Sequence, residues 1–201
     1  MEFTDAQISQ LIEEIYSGTV TEFDLPESLY LAIADYLKQA LYQGYGQTLV
    51  EASGKDLELL TQLRENIYMF SAAKVFTEVK DVSSLFVNDA GELRTKSEFK
   101  DAALEVLGTY NDDWLNTEYN TTIGEAQMAS KWNEIEKNKD VLPILVYSTI
   151  GDACDICEPL DGLTAEVDDP VWDDCSPLQH YNCECVLLQQ EGDYISESEN
   201  E

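Results

Sequence analysis

Cys154-Asp155-Ile156-Cys157 and, about two dozen residues on, His180-Tyr181-Asn182-Cys183-Glu184-Cys185 decide how this chain is organised. Four of its five cysteines and its single histidine fall in these two short clusters. A Cys-x-x-Cys knuckle facing a His-x-x-Cys-x-Cys cluster has the spacing of a bound metal, most often zinc. Two knuckles pinching one loop let an ion stand in for a core that a short segment cannot build. Cys154, Cys157, Cys183, Cys185 and His180 are the candidate ligands, five for a four-coordinate site. The competing account is a set of buried free thiols beside a hydrogen-bonded histidine.

Cys183 to Leu188 reads as a strand, and residues two apart on a strand point to the same face. That alternation places both thiols toward Cys154 and Cys157 in a four-thiolate site, with His180 beside it. The rival uses His180 in place of one of the pair. Cys175, after Trp172-Asp173-Asp174, is the odd thiol, structural or a spare ligand. The odd count argues against a disulfide framework. So does the start of the chain, Met1-Glu2-Phe3-Thr4-Asp5, which has neither a basic nor an apolar leader region. The chain reads as cytosolic at synthesis, where thiols stay reduced. No apolar run approaches membrane-spanning length.

Working outward, Pro143 marks a change of texture. Ile144 to Thr149 is apolar and β-branched, a good strand; Asp161-Gly162 is a tight turn; Val186-Leu187-Leu188 is the second convincing strand. Upstream the pattern is helical. Thr4-Asp5-Ala6-Gln7 is a capping box with Phe3 and Ile8 as its staple, and Ile8, Leu11, Ile12 and Ile15 form one face ending at Gly18. Pro26 opens a helix carrying Leu29, Ile33, Leu37 and Leu41 that stops near Gly44 and Gly46. A third helix runs from about Asp56 to Val79 with Leu60, Leu63, Ile67, Phe70 and Val75 inward. Asn88-Asp89-Ala90-Gly91 is a turn, and Thr95-Lys96-Ser97-Glu98 a second capping box, opening a helix through Phe99, Ala103 and Leu107. Asn111 caps the last long helix, whose face Leu115, Tyr119, Thr122, Ala126, Ala129 narrows from large to small, so something packs closely on its second half. Trp114, Tyr119 and Trp132 read as core. The expected fold is α+β: a helical body over residues 1–139, a small β-containing, metal-clipped domain over 140–190, and an acidic, disordered tail over 191–201.

Charge narrows the partners. Eleven basic residues against 41 acidic give a net charge of −30, with a hydrophobic fraction of 44% that suffices for a core. Only two arginines occur, Arg64 and Arg94, and no Lys or Arg follows Lys139, whereas sixteen acidic residues do. Phosphate contacts are made by Lys and Arg. Direct nucleic-acid binding is therefore not expected; a protein partner with a basic surface is, with plain solubility or adaptation to a salty setting as the competing account of the charge. The knuckles, flanked by Asp152, Asp155, Glu158 and Glu184, suit a structural clip rather than a DNA-reading finger.

The block Tyr147-Ser148-Thr149, Asp152, Cys154-x-x-Cys157, Leu160-Asp161-Gly162, Asp168-Asp169, Trp172, Pro177 and His180-x-Asn182-Cys183-x-Cys185 resembles the C-terminal domain of the phage Mu F-like head morphogenesis proteins, also called minor head or minor capsid proteins. Phe70-Ser71-Ala72-Ala73-Lys74, Trp114 to Asn120, Trp132 and Leu142-Pro143 resemble its helical lead-in, so the likeness covers roughly residues 65 to 190. Two positions depart from the family's His-Pro-Asn-Cys-Arg-Cys ending: Tyr181 stands for Pro and Glu184 for Arg. The resemblance implies a low-copy structural protein of the virion, acting on portal and capsid proteins during head assembly, with a metal that fixes the fold. A zinc enzyme is the rival class. Nucleobase deaminases pair His-x-Glu with Pro-Cys-x-x-Cys; here Ala153 precedes Cys154 and the lone histidine lacks that pattern. A nuclease needs a base histidine besides any ligand, and basic phosphate contacts. A soluble zinc adaptor outside virions is the remaining alternative.

Overall fold

Apolar spacing at three and four residues builds the first part of the chain. In the computed structural model, which describes residues 5–151 and 154–192, it forms α1 (Asp5–Tyr16), α2 (Glu27–Tyr45), α3 (Gly54–Ser84), α4 (Lys96–Gly108) and α5 (Leu115–Asn138). Leu11, Ile12 and Ile15 of α1 are buried, as are Leu29, Ile33, Leu37 and Leu41 of α2. The α4 start is a reciprocal capping box: Thr95 accepts from the Glu98 N–H while the Glu98 carboxylate accepts from the Thr95 N–H at 2.8 Å. Asn88 Oδ1 accepts from the Ala90 and Glu92 N–H groups, closing the turn that Gly91 completes at φ 81°. The capping box expected at Thr4 and most of the acidic tail lie outside the described residues.

Asn111 does not cap a helix. α4 and α5 are joined without a break by a π-helical turn, Thr109–Trp114. Asn111 is buried inside it and donates from Nδ2 to the Leu107 carbonyl at 3.0 Å. Burial overrides the local cap preference. Two aromatic expectations also fail. Trp114 is 48% exposed and Phe70 45%. The inward stripe of α3 runs through Ile67, Ser71, Lys74, Glu78 and Val82, which leaves Phe70 one position off it. Trp114 edges Tyr110 at 4.6 Å and stands 5.9 Å from the Lys74 ammonium, with the rest of the side chain open to water.

Compact packing divides the chain into two units, Met1–Gln39 with Leu63–Tyr119, and Ala40–Gln62 with Asn120–Glu201. The first contains a buried polar group. The Lys74 ammonium donates to the Tyr110 carbonyl and to Glu118, each at 2.9 Å, and stands 3.8 Å from Glu78. Tyr110 in turn donates to Asp81 at 2.7 Å.

The second unit carries the sheet. β1 (Ile144–Ser148) lies between β2 (Thr164–Glu166) and β3 (Val186–Gln190), antiparallel to both, with Leu145 opposite Ala165 and Gln189. Leu145, Tyr147, Val167, Trp172 and Leu187 pack with Ile135 of α5 into one core, Trp132 against its edge. The Trp172 indole donates to the Glu166 carbonyl at 2.8 Å from the short α6 (Val171–Cys175). Gln189 Nε2 donates to the Ile135 and Leu142 carbonyls, tying β3 to the end of α5. The fold is α+β. The narrowing face of α5 has its reason here: a Cβ on Gly44 of α2 would collide with the Ile123 carbonyl and come within 2.9 Å of Ala126 Cβ.

Candidate metal centre

Each knuckle is shaped by backbone bonds before any ion is considered. The Cys157 and Glu158 N–H groups both donate to the Cys154 carbonyl, at 3.0 and 2.9 Å, folding the first into a tight turn. A 3₁₀ turn, Glu158–Leu160, follows, and Asp161 reaches back to the end of β1, where its Oδ1 accepts from Thr149 N–H and Oγ1 at 2.8 and 2.9 Å. These bonds hold the Asp161 carboxyl below its ordinary range. Gly162, at φ 78°, turns the chain into β2.

The second knuckle is seated on α5. Gly124 gives it room: a Cβ there would meet Leu178 Cδ2 at 3.0 Å. Leu178 and Asn182 both take positive φ, 78° and 55°. Asn tolerates that region and Leu does not, so the bend at Leu178 is strain accepted where the loop docks. Cys183 N–H donates to the His180 carbonyl at 3.3 Å, making residues 180–183 a turn. The strand expected from Cys183 therefore begins only at Val186. The turn brings the thiols inward without help from strand alternation.

All five predicted side chains meet. Cys154 Sγ, Cys157 Sγ and the His180 ring form one group, and the Cys157, Cys183 and Cys185 sulfurs a second, with ligand atoms within 4.8 Å in each. Cys157 belongs to both. His180 Nε2 lies 3.1 Å from Cys154 Sγ and 3.3 Å from Cys157 Sγ, and Cys157 Sγ lies 3.8 Å from Cys183 Sγ. An ion about 2.3 Å from each of two sulfurs at a tetrahedral angle sets them about 3.8 Å apart, so the last distance already fits zinc. Cys175 stands in neither group.

The protonation states suit the same end. His180 Nδ1 lies 2.7 Å from the Tyr181 carbonyl, and donating its proton there leaves Nε2 facing the sulfurs with its lone pair. That carbonyl bond, with the nearby thiolate charges, raises the His180 pKa. Cys154 is pulled down by the Cys157 N–H. Burial acts against ionising Cys183, yet the N–H groups of Cys185 and Leu178 and the neighbouring thiols bring it to about 7. Burial pushes Cys157 up to about 12. A divalent ion would bind thiolates, so it would displace the proton that burial holds on Cys157 and neutralise the thiolates beside it. The buried Tyr147 hydroxyl, 3.6 Å from Cys157 Sγ, lies behind the cluster. Its role was not read from sequence, nor was the seat formed by Gly124 and Leu178; the small residues of α5 were the available signal.

This arrangement spans the segment for which comparison with known proteins is decisive. The family model described as Phage Mu protein F like protein matches residues 32–188. The chain belongs to that family. Membership makes it a phage head morphogenesis protein by kind, and confirms the resemblance carried by the cysteine block and its helical lead-in. No curated protein and no solved structure matches the chain. Among the described residues no helix is long and apolar enough to cross a membrane.

Proposed function

We propose that this Mu F-like chain is a minor head protein of a phage or prophage, acting in the virion interior near the portal during capsid assembly through contacts with portal and capsid proteins. Residues 140–190 act as its metal-clipped module on the helical body of residues 1–139. The carrying observation is the family match across residues 32–188, which takes in both the helices and the knuckles. Cys154, Cys157, His180 and Cys183 would hold one zinc, with Cys185 and the Tyr147 hydroxyl packed against Cys157. His180 is favoured over Cys185 because its Nε2 already touches two sulfurs. When bound, the ion supplies cross-linking and charge neutralisation, no catalysis. The chain's own part is to pre-fold both knuckles by backbone bonds, and to fix the His180 tautomer through Tyr181.

The test has two arms. Protein purified from zinc-sufficient medium should carry one zinc per chain by elemental analysis; metal-free protein with freely titrating thiols overturns the ligand assignment. Heads assembled by the phage that encodes this chain should contain it at low copy and should co-purify it with the portal. Its absence from heads at every assembly stage overturns the virion role.

A further inference from the structure

Three large apolar side chains stand out in water on and beside the knuckles. Ile156, between the two cysteines of the first knuckle, is 56% exposed; Tyr181, beside His180 in the second, is 74% exposed; Ile150, just past β1, is 54% exposed. The backbones of Ile156 and Tyr181 are held in place. Ile156 lies in the turn closed by Cys157 N–H on the Cys154 carbonyl, and the Tyr181 carbonyl accepts from His180. The contact of His180 with Cys154 and Cys157 brings the two turns together. Single exposed apolar residues are ordinary, but several on adjoining rigid loops mark a contact surface.

The charge around them selects the occupant. Asp155, Glu158 and Glu184 are exposed on the same two knuckles, and no Lys or Arg occurs anywhere after Lys139. A second copy of this chain would set like charge against like, which costs several kcal/mol at an interface. Nucleic acid needs the cations this segment lacks. We infer that the joined knuckles form a docking surface for a protein segment in which lysine or arginine flanks an apolar anchor, the anchor covering Ile156 and Tyr181 and the cations meeting Asp155, Glu158 and Glu184. This rests on the proposed reading of a zinc-joined cluster and names the chemistry of its assembly partner.

The experiment uses the full chain, zinc-loaded, and a short labelled peptide alternating lysine with leucine, followed by fluorescence anisotropy at near-physiological salt. A second peptide carries serine in place of leucine. The leucine peptide should bind at least about tenfold more tightly than the serine peptide, and the Ile156→Ser/Tyr181→Ser variant should lose about tenfold or more of that affinity. Val50→Ser, at a site 95% exposed in another loop, should change nothing. Asp155→Asn with Glu158→Gln should weaken both peptides without removing a metal ligand. Equal binding of the two peptides, or wild-type affinity in the Ile156/Tyr181 variant, overturns the surface, since net charge alone would then explain the attraction. Zinc content measured on the same samples separates the two claims. A zinc-loaded chain that fails to discriminate the peptides overturns the docking surface alone; a zinc-free chain that still discriminates them overturns the metal reading and supports the surface.

Discussion

At Glu78 burial decides the chemistry. The side chain is fully buried, neither carboxylate oxygen has a hydrogen-bond partner among the described residues, and the Lys74 ammonium stands 3.8 Å away while bonding Glu118 and the Tyr110 carbonyl more closely. Burial raises its pKa from 4.5 to about 7, with Lys74 opposing and Glu118 adding to the rise. A carboxyl whose folded pKa lies above its unfolded value stabilises the fold when protonated. That contribution is complete below about pH 4.5, shrinks as pH rises, and is gone above about 7, a change on the order of 3 kcal/mol. Glu78→Gln should abolish this slope, so the variant-minus-wild-type difference in urea unfolding should grow in the variant's favour across that window. A flat difference would show that Glu78 stays ionised throughout. His180 offers the second residue-scale test. As a direct ligand, its replacement by Ala should cost more than the about 10–100-fold that losing an outer partner costs, by chelator competition, and Cys185→Ser should cost less. The reverse ranking would restore the four-thiolate site that strand alternation suggested.

At the scale of elements, legibility tracked length. α2 could be read because Leu29, Ile33, Leu37 and Leu41 repeat over a long, uninterrupted stretch, and β1 because Ile144 to Tyr147 is a fully buried apolar run. β2 is three residues long and α6 five, too short for any period to register. The π-helical join was hidden for another reason: Asn111 has the chemistry of a cap, and only packing shows that it is inside. The candidate ligands were all legible from spacing, but not which of them touch, because that depends on the left-handed turn at Asn182 and the Leu178 seat on Gly124. The small-residue taper of α5 was read correctly as close packing. Gly44 makes this testable. In a free helix Gly→Ala stabilises by about 1 kcal/mol. Here the new Cβ would strike the Ile123 carbonyl and Ala126, backbone and a stub that cannot swing aside. Gly44→Ala should therefore destabilise, by about 1–3 kcal/mol as an overpacked contact, seen as a lower urea midpoint. A stabilised variant would mean that α2 and α5 are free to part.

For the whole molecule the issue is what replaces a large core in the knuckle region. Its three strands have only three to five residues each, and β2 pairs with β1 over three positions. Sixteen acidic residues and no basic one from Asp140 onward add repulsion that folding must overcome. Structural zinc in small metal-folded modules contributes about 10–16 kcal/mol of apparent binding energy, enough to outweigh both. Removing it with a chelator, or preventing its capture with Cys157→Ala, should therefore unfold this region first. The sheet shares its core with Ile135, Trp132 and Met128, so the second half of α5 should loosen with it. α1 and α4 should hold: Tyr16 packs on Phe99 and Phe86, and Lys96 pairs with Glu13, all within the other unit. Hydrogen exchange read residue by residue decides the matter. The expected result is lost protection from about Met128 to Gln190, with α1 and α4 still protected, and recovery when zinc is returned to the wild type but not to Cys157→Ala. Loss of protection throughout the chain would mean that the two units fold only together; unchanged protection everywhere would mean that the thiols hold nothing the fold depends on.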